Sequence, residues 1–213
     1  MPGPSAGMTG TKERYALRGV VTFDGLIVYR AGPANQLQFT AAGLIGALSE
    51  PFTVRVGPAA ELVVIQQPSG AWGGNVLRVQ PAVKICDSGG NAVNITATAN
   101  VILVHEINIS MQTANFSLST PTVDFKISET GLSGTKSINL VNGTAAYTNL
   151  AVDSIGTNYR FNFSVNRFWI LSRSFSVSAG APSLLLVVQE PQLCKGGEAC
   201  RIQPIIRIVD SGG

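Results

Sequence analysis

The chain repeats itself, and nothing else in the sequence constrains its fold as much. "FTVRVGPAAELVVIQQP" (52–68) lies over "FSVSAGAPSLLLVVQEP" (175–191), and "VQPAVKICDSGG" (79–90) lies over "IQPIIRIVDSGG" (202–213). One ungapped shift of 123 residues, which carries Asp87 to Asp210, aligns both pairs. Upstream, a shift of 124 residues sets "TGTK" (9–12) over "SGTK" (133–136), "GVVTFDGL" (19–26) over "GTAAYTNL" (143–150) and "LQF" (37–39) over "FNF" (161–163). Several matches in order at one spacing mark an internal repeat, and one architecture must serve every copy. The 213 residues then divide into the later part of one module (1–57), a complete module (58–180) and the first part of a third (181–213). This division implies a window on a longer tandem array.

Each copy reads as strands. "ELVVIQQP", "VLRVQPAVKICD", "AVNITATANVILV", "KSINLV", "GTAAYTNLAV", "NYRFNFSV" and "SRSFSVSAG" are short runs bounded by Gly, Pro, Asn or Ser. In "NYRFNFSV" the alternation puts Tyr159, Phe161, Phe163 and Val165 on one face. No stretch carries a 3.6-residue period, so almost no helix is expected. Hydrophobic residues make up 45% of the chain and charged residues 13%, against roughly 25% charged in ordinary soluble domains. That balance supplies enough apolar surface for a packed core and argues against disorder. About seven strands in one module suggest an all-β, two-sheet sandwich.

The elements "QPAVKICDSGGNAV" and "NGTAAYTNLAV", with "LSGTKSINLV" and "SFSV" around them, resemble tandem Ig-like repeats of large surface proteins. These include bacterial-type Ig-like modules and filamin-like modules of eukaryotic cell-surface glycoproteins. The resemblance covers most of the chain. It implies tandem Ig-like β-sandwich modules, one complete and two partial. It also implies a structural or adhesive segment of a long extracellular or cell-surface glycoprotein, of the kind that coats cells and flagella, acting as a rigid spacer or filament component. A carbohydrate- or protein-binding module of a surface adhesin is the alternative, with surface glycans or proteins as partners. Modules of that kind run to about 100 residues. The excess here falls near 104–130, where an extra hairpin is expected.

Several function classes find no support in the sequence. The net charge is only +3 and the basic residues are scattered, so the footprint of a nucleic-acid binder is missing. No apolar run approaches the roughly 18 residues a bilayer requires, and membrane contact from this segment is not expected. "MPGPSAGMTG" has neither the basic start nor the apolar stretch of a secretory signal. His105 is the single histidine, and its neighbour Glu106 falls on the opposite face of a strand. Nothing resembles a G-x-S-x-G elbow or a pair of catalytic carboxylates. No enzyme activity, cofactor or metal is therefore expected.

The remaining candidate sites are structural. Asn94, Asn108, Asn115, Asn142 and Asn162 stand in N-x-S/T sequons without proline, and several are expected to carry glycans. Polar strand residues in a Ser/Thr-rich chain are the plainer reading. Asn162, between Phe161 and Phe163, is expected to face outward. Cys194 and Cys200 bracket "KGGEA", at the places where the previous copy has Ala71 and Leu77. A disulfide across that turn is expected, and with it an oxidising compartment. Cys86 matches Val209 and reads as a small apolar strand residue. In "DSGGN", Asp87 can accept backbone N–H bonds while Gly89 and Gly90 permit positive φ. Calcium binding by Asp87 is the alternative, but no second carboxylate lies nearby to complete an oxygen cage. Trp72, near the variable turn, could stack on a sugar or pack on its own sheet edge.

The two partial copies should leave apolar faces in need of partners. Phe39 and Phe52 in the first, and Leu184, Leu186 and Ile206 in the second, are the residues concerned. Neighbouring modules of the same longer chain, or adjacent copies joined head to tail, could cover them. The longer chain is the favoured partner, since a joined pair lacks the counterpart of 91–131.

Overall fold

The computed structural model describes residues 7–107, 124–128 and 131–213, without the side chains of 106–107 and 124–128. Among the described residues every regular element is a strand. The chain divides into two compact units: residues 1–63, 84–97 and 140–144 form the first, and 64–83, 98–139 and 145–213 the second.

The second unit is organised by a seven-stranded sheet. Thr98–Ile107 runs inside it, antiparallel to the central strand Gly156–Val165 on one side and to Asp124–Ser128 and Ser137–Asn139 on the other. Phe168–Leu171 and Phe175–Ser178 both pair with Gly156–Val165, and Ala71–Trp72 adds a parallel edge to Phe175–Ser178. The register follows from the alternation of side chains. Ala99, Val101 and Leu103 stand opposite Val165, Phe163 and Phe161, and all six are buried on one face. A slip by one residue would turn that whole set to solvent. Each such large side chain removed from water contributes about 2 kcal/mol. Leu77, Val83, Ala145, Tyr147 and Leu150, from segments outside this sheet, add to the buried set of the same unit. The result is sandwich-like.

Glu61–Gln66, Ala82–Cys86 and Thr144–Ala146 form a three-stranded sheet with Ala82–Cys86 in the middle. Asn142 and Gly143 make the turn into Thr144–Ala146, both at positive φ (49° and 73°) and closed by reciprocal bonds between Val141 and Thr144. Asn-Gly suits this turn because Asn tolerates the left-handed region and Gly enters it freely. The excess near 104–130 begins as a hairpin should: Leu103 to Ile107 face Ser128 to Asp124 in unbroken antiparallel register. Residues 108–123 and 129–130, the rest of that excess, lie outside the described residues.

The repeat seen in the sequence recurs in backbone detail. Glu61–Gln66 and Ala82–Cys86 are matched, at a shift of 123, by the antiparallel pair Leu184–Gln189 and Ile205–Val209. Met8–Thr9 pairs with Ile27–Val28 as Leu132–Ser133 pairs with Ala151–Val152, at a shift of 124. Gly32–Asn35 meets Phe52–Val54 with the irregularity that Gly156–Val165 shows against Phe175–Ser178. Gln38 and Phe39 face Leu48 and Ala47 as Asn162 and Phe163 face Leu171 and Ile170. Even ring geometry repeats: Phe23 and Phe39 are 5.6 Å apart at 37°, Tyr147 and Phe163 5.6 Å apart at 38°.

Candidate inter-repeat clamp

The most organised polar cluster is the turn after Ala82–Cys86. Asp87 is only 3% exposed, yet it is charged, so its burial has to be offset by hydrogen bonds. It is. The Gly57 N–H donates to Oδ2 at 2.8 Å; the Gly89 and Asn91 N–H groups donate to Oδ1, both at 2.9 Å. The Asn91 side-chain amide donates to both oxygens at 3.1 Å. Burial alone would push this carboxyl up, but the donors from Gly57, Asn91 and Gly89 outweigh it and hold it below the usual carboxylate range. Both carboxylate oxygens are thus occupied by N–H donors in the manner of a turn.

Asn91 extends the cluster. Its Nδ2 donates to the Tyr29 carbonyl at 2.6 Å, and its Oδ1 accepts from the Ala31 N–H at 3.0 Å. Gly89 lies against that same Tyr29 carbonyl so closely that a Cβ there would overlap it. One turn therefore ties two distant segments: residues 29–31 of the preceding copy, and Gly57, where one copy passes into the next.

The same device recurs 123 residues later, inside the second unit. The Gly180 N–H donates to Asp210 Oδ2 at 2.7 Å and the Gly212 N–H to Oδ1 at 3.0 Å. Gly212 lies against the Asp153 carbonyl, the counterpart of Tyr29, again with no room for a Cβ. Here Asn75 Nδ2 donates to Ser211 Oγ at 3.3 Å, and the Ser211 hydroxyl donates to the Gly73 carbonyl at 3.0 Å.

A second anchor lies at Gln80. Its Nε2 donates to the Leu77 and Leu150 carbonyls at 3.1 and 3.0 Å, and its Oε1 accepts from the Leu150 N–H at 3.0 Å. Neither this role nor the Gly57–Asp87 bond was anticipated from the sequence. Their signal was present nonetheless, because Gly57, Gln80 and Asp87 are all identical to their counterparts Gly180, Gln203 and Asp210.

The expected disulfide is present between Cys194 and Cys200. It spans a turn built like that of the previous copy: the Glu198 N–H bonds the Lys195 carbonyl at 3.0 Å, as Asn75 bonds Trp72 at 2.9 Å. In the previous copy the two flanking places are held by Ala71 and Leu77, both buried. Covalent closure stands in the third copy where apolar burial stands in the second. Cys86 is free and buried, and desolvation pushes its thiol up. Trp72 is partly exposed, with the Arg78 guanidinium 5.7 Å from its ring centroid. His105 packs against Tyr159, ring centroids 5.0 Å apart.

Of the sequons, Asn94 and Asn142 are exposed, Asn142 at the tip of its turn. Asn162 does alternate against Phe161 and Phe163, but it is half-buried in the sheet between Ile102 and Leu171, and its Oδ1 is sealed without a hydrogen-bond partner among the described residues. Its expected outward aspect is corrected to that extent: Gly156–Val165 lies in the middle of the sheet, and the side chains of the strands on both sides crowd its polar face as well. Asn108 and Asn115 lie outside the described residues. Among the described residues, no three His, Cys, Asp or Glu gather as a metal site would require. No family model matches the chain, and no curated protein matches it.

Proposed function

We propose that this chain is a structural or adhesive segment of a long extracellular or cell-surface glycoprotein built of Ig-like repeats, in which each repeat is a rigid spacer. The observation behind the reading is the recurrence of one clamp, Gly57 to Asp87 and again Gly180 to Asp210, at the passage from each copy to the next. A flexible string of domains has no use for a buried carboxylate at each passage; a spacer of defined reach does. The Cys194–Cys200 bridge supports an oxidising setting, since disulfides persist there. Asn94 and Asn142 are open to glycan attachment, while Asn162 offers a more restricted site.

The spacer reading is tested by small-angle scattering on the whole chain and on a variant with Asp87→Ala and Asp210→Ala. The native chain should give one sharply bounded maximum dimension, and the variant a broadened one. Identical profiles would remove the basis of the reading. The glycoprotein part is tested on native material with an amidase that removes N-glycans. Its mass should fall, with Asn94 or Asn142 converted to Asp.

A further inference from the structure

The seven-stranded sheet has a second face, opposite the one that buries Ala99, Val101 and Leu103. Toward the Thr98 end of the sheet this face is open. Thr98, Asn100, Ser137 and Asn139 are exposed there and Ser164 is half-buried. Exposed positions ordinarily go to charged residues. These five are all uncharged hydrogen-bonding groups, and they are fixed side by side. Ser137 Oγ donates to Asn100 Oδ1 at 2.7 Å, and Thr98 Oγ1 to Asn139 Oδ1 at 3.0 Å. Both amides use their oxygen inside the pair, so their NH2 groups remain as donors.

Trp169 borders this face. Ser164 stands opposite Trp169 on one side and Asn100 on the other, and Asn100 stands opposite Ser137. The four side chains therefore form one row across four strands. Trp169 is 68% exposed. Trp72 has the Arg78 guanidinium over its ring, whereas no ring or cation meets Trp169 among the described residues. The preceding copy has Ile45 and Thr40 in the places of Trp169 and Ser164, so the repeat itself does not demand an indole here. Neighbouring strands lie about 4.8 Å apart, so the row presents one stacking or hydrogen-bonding group per interval over roughly 14 Å. That interval is close to the advance per ring of an extended β-linked hexose chain.

We infer that this row binds an uncharged, extended oligosaccharide, one sugar ring stacked on Trp169 and the following rings hydrogen-bonded to Ser164, Asn100 and Ser137. The C–H face of a pyranose carries slight positive charge and meets the negative face of an indole. Sugar hydroxyls both donate and accept, as the serine hydroxyls and the asparagine amide do. The row has no cation to neutralise a phosphate backbone and no charge to pair with a charged peptide, which leaves a neutral polyhydroxylated ligand as its match. Asn162 lies on the same face beside Ser164's row, and a glycan on it would cover the platform. The inference stands independently of the spacer reading, which scattering tests.

The test is tryptophan emission of the full chain, made without N-glycans and titrated with neutral hexamers of β-linked glucose, mannose and N-acetylglucosamine. The Trp72→Phe variant leaves Trp169 as the reporting indole. At least one neutral hexamer should shift its emission to the blue, saturably, and a hexamer of galacturonic acid should bind more weakly. Trp169→Ala removes an exposed side chain, so the circular dichroism of the chain should be unchanged. By calorimetry it should bind the same neutral hexamer at least about tenfold more weakly, as the loss of a stacked indole implies. Asn100→Ala should weaken that binding several-fold. The absence of a saturable shift with all three neutral hexamers would overturn the inference. So would a Trp169→Ala chain that binds like the native one, or a charged hexamer that binds as well as the neutral ones. A blue shift that grows with protein concentration in the absence of sugar would also overturn it, marking the face as a contact between copies.

Discussion

Replacing Asp87 by Asn perturbs the clamp while keeping its shape. The single remaining oxygen can stay on the Gly89 and Asn91 N–H groups, which leaves the new amide nitrogen facing the Gly57 N–H, donor against donor. A hydrogen bond to a charged group is worth about 1.5–3 kcal/mol and a neutral one about 1 kcal/mol. Losing the first bond and weakening the others should therefore cost about 2–4 kcal/mol, a large part of the 5–15 kcal/mol typical of a domain. Urea denaturation reads the total. Hydrogen exchange at the Gly57 amide reads the clamp itself, and should quicken roughly 30- to 900-fold for that loss if exchange follows local opening. The effect also has a pH signature. The carboxyl is held below its ordinary value, so its contribution is complete above the unfolded pKa of about 3.9 and disappears as pH falls through the lower folded value. The native chain's advantage over Asp87→Asn should be constant from neutral pH down to about 5 and shrink in stronger acid. A cost under about 0.5 kcal/mol, the range of ordinary surface changes, would refute the reasoning. So would an advantage over the variant that did not depend on pH.

Tyr147 carries a buried hydroxyl without a partner among the described residues, and burial pushes its pKa well up. The first copy has Phe23 there with the same ring geometry, so Tyr147→Phe should stabilise the second unit by about 1 kcal/mol, read as a rise of roughly 2–4 °C in Tm. Gly89→Ala would drive a Cβ into the Tyr29 carbonyl and should cost about 1–3 kcal/mol by chemical denaturation. Reducing the Cys194–Cys200 bond should cost about 2 kcal/mol on the chain-entropy account. Mass-spectrometric hydrogen exchange should place that loss at residues 193–201, while Cys86 resists alkylation until the chain unfolds.

How much of this could be read from the sequence depended on what kind of information each feature needs. The all-β fold was legible because Tyr159, Phe161, Phe163 and Val165 alternate, and period two leaves few options. The disulfide was legible because the repeat aligned Cys194 and Cys200 with residues flanking one turn. The clamp was only half legible. "DSGGN" announced a turn with Asp87 as acceptor, but a turn is local, and the bond from Gly57 spans 30 residues. Nothing in a run of residues says which distant N–H will arrive. Asn162 fell short for a related reason: alternation fixes which face a side chain takes, but not how far neighbouring strands close over that face. The exposed ribbon at Leu184–Gln189 was foreseeable, since its counterpart in the second copy is covered by residues far along the chain.

The clamp has a thermodynamic consequence beyond its geometry. Because the turn at Asp87 holds residues 29–31 of the copy before it, that copy and the next share part of their free energy of folding. On the proposed reading of a tandem array, that sharing acts as nearest-neighbour coupling, in which each unit's stability depends on whether the adjacent unit is folded. Units in the interior are held from two sides and outer ones from one. Unfolding under heat or tension should therefore proceed inward from an exposed end, unit by unit, rather than begin in the middle. Loss of a single clamp carboxylate would turn an interior unit into an end on each side of the break.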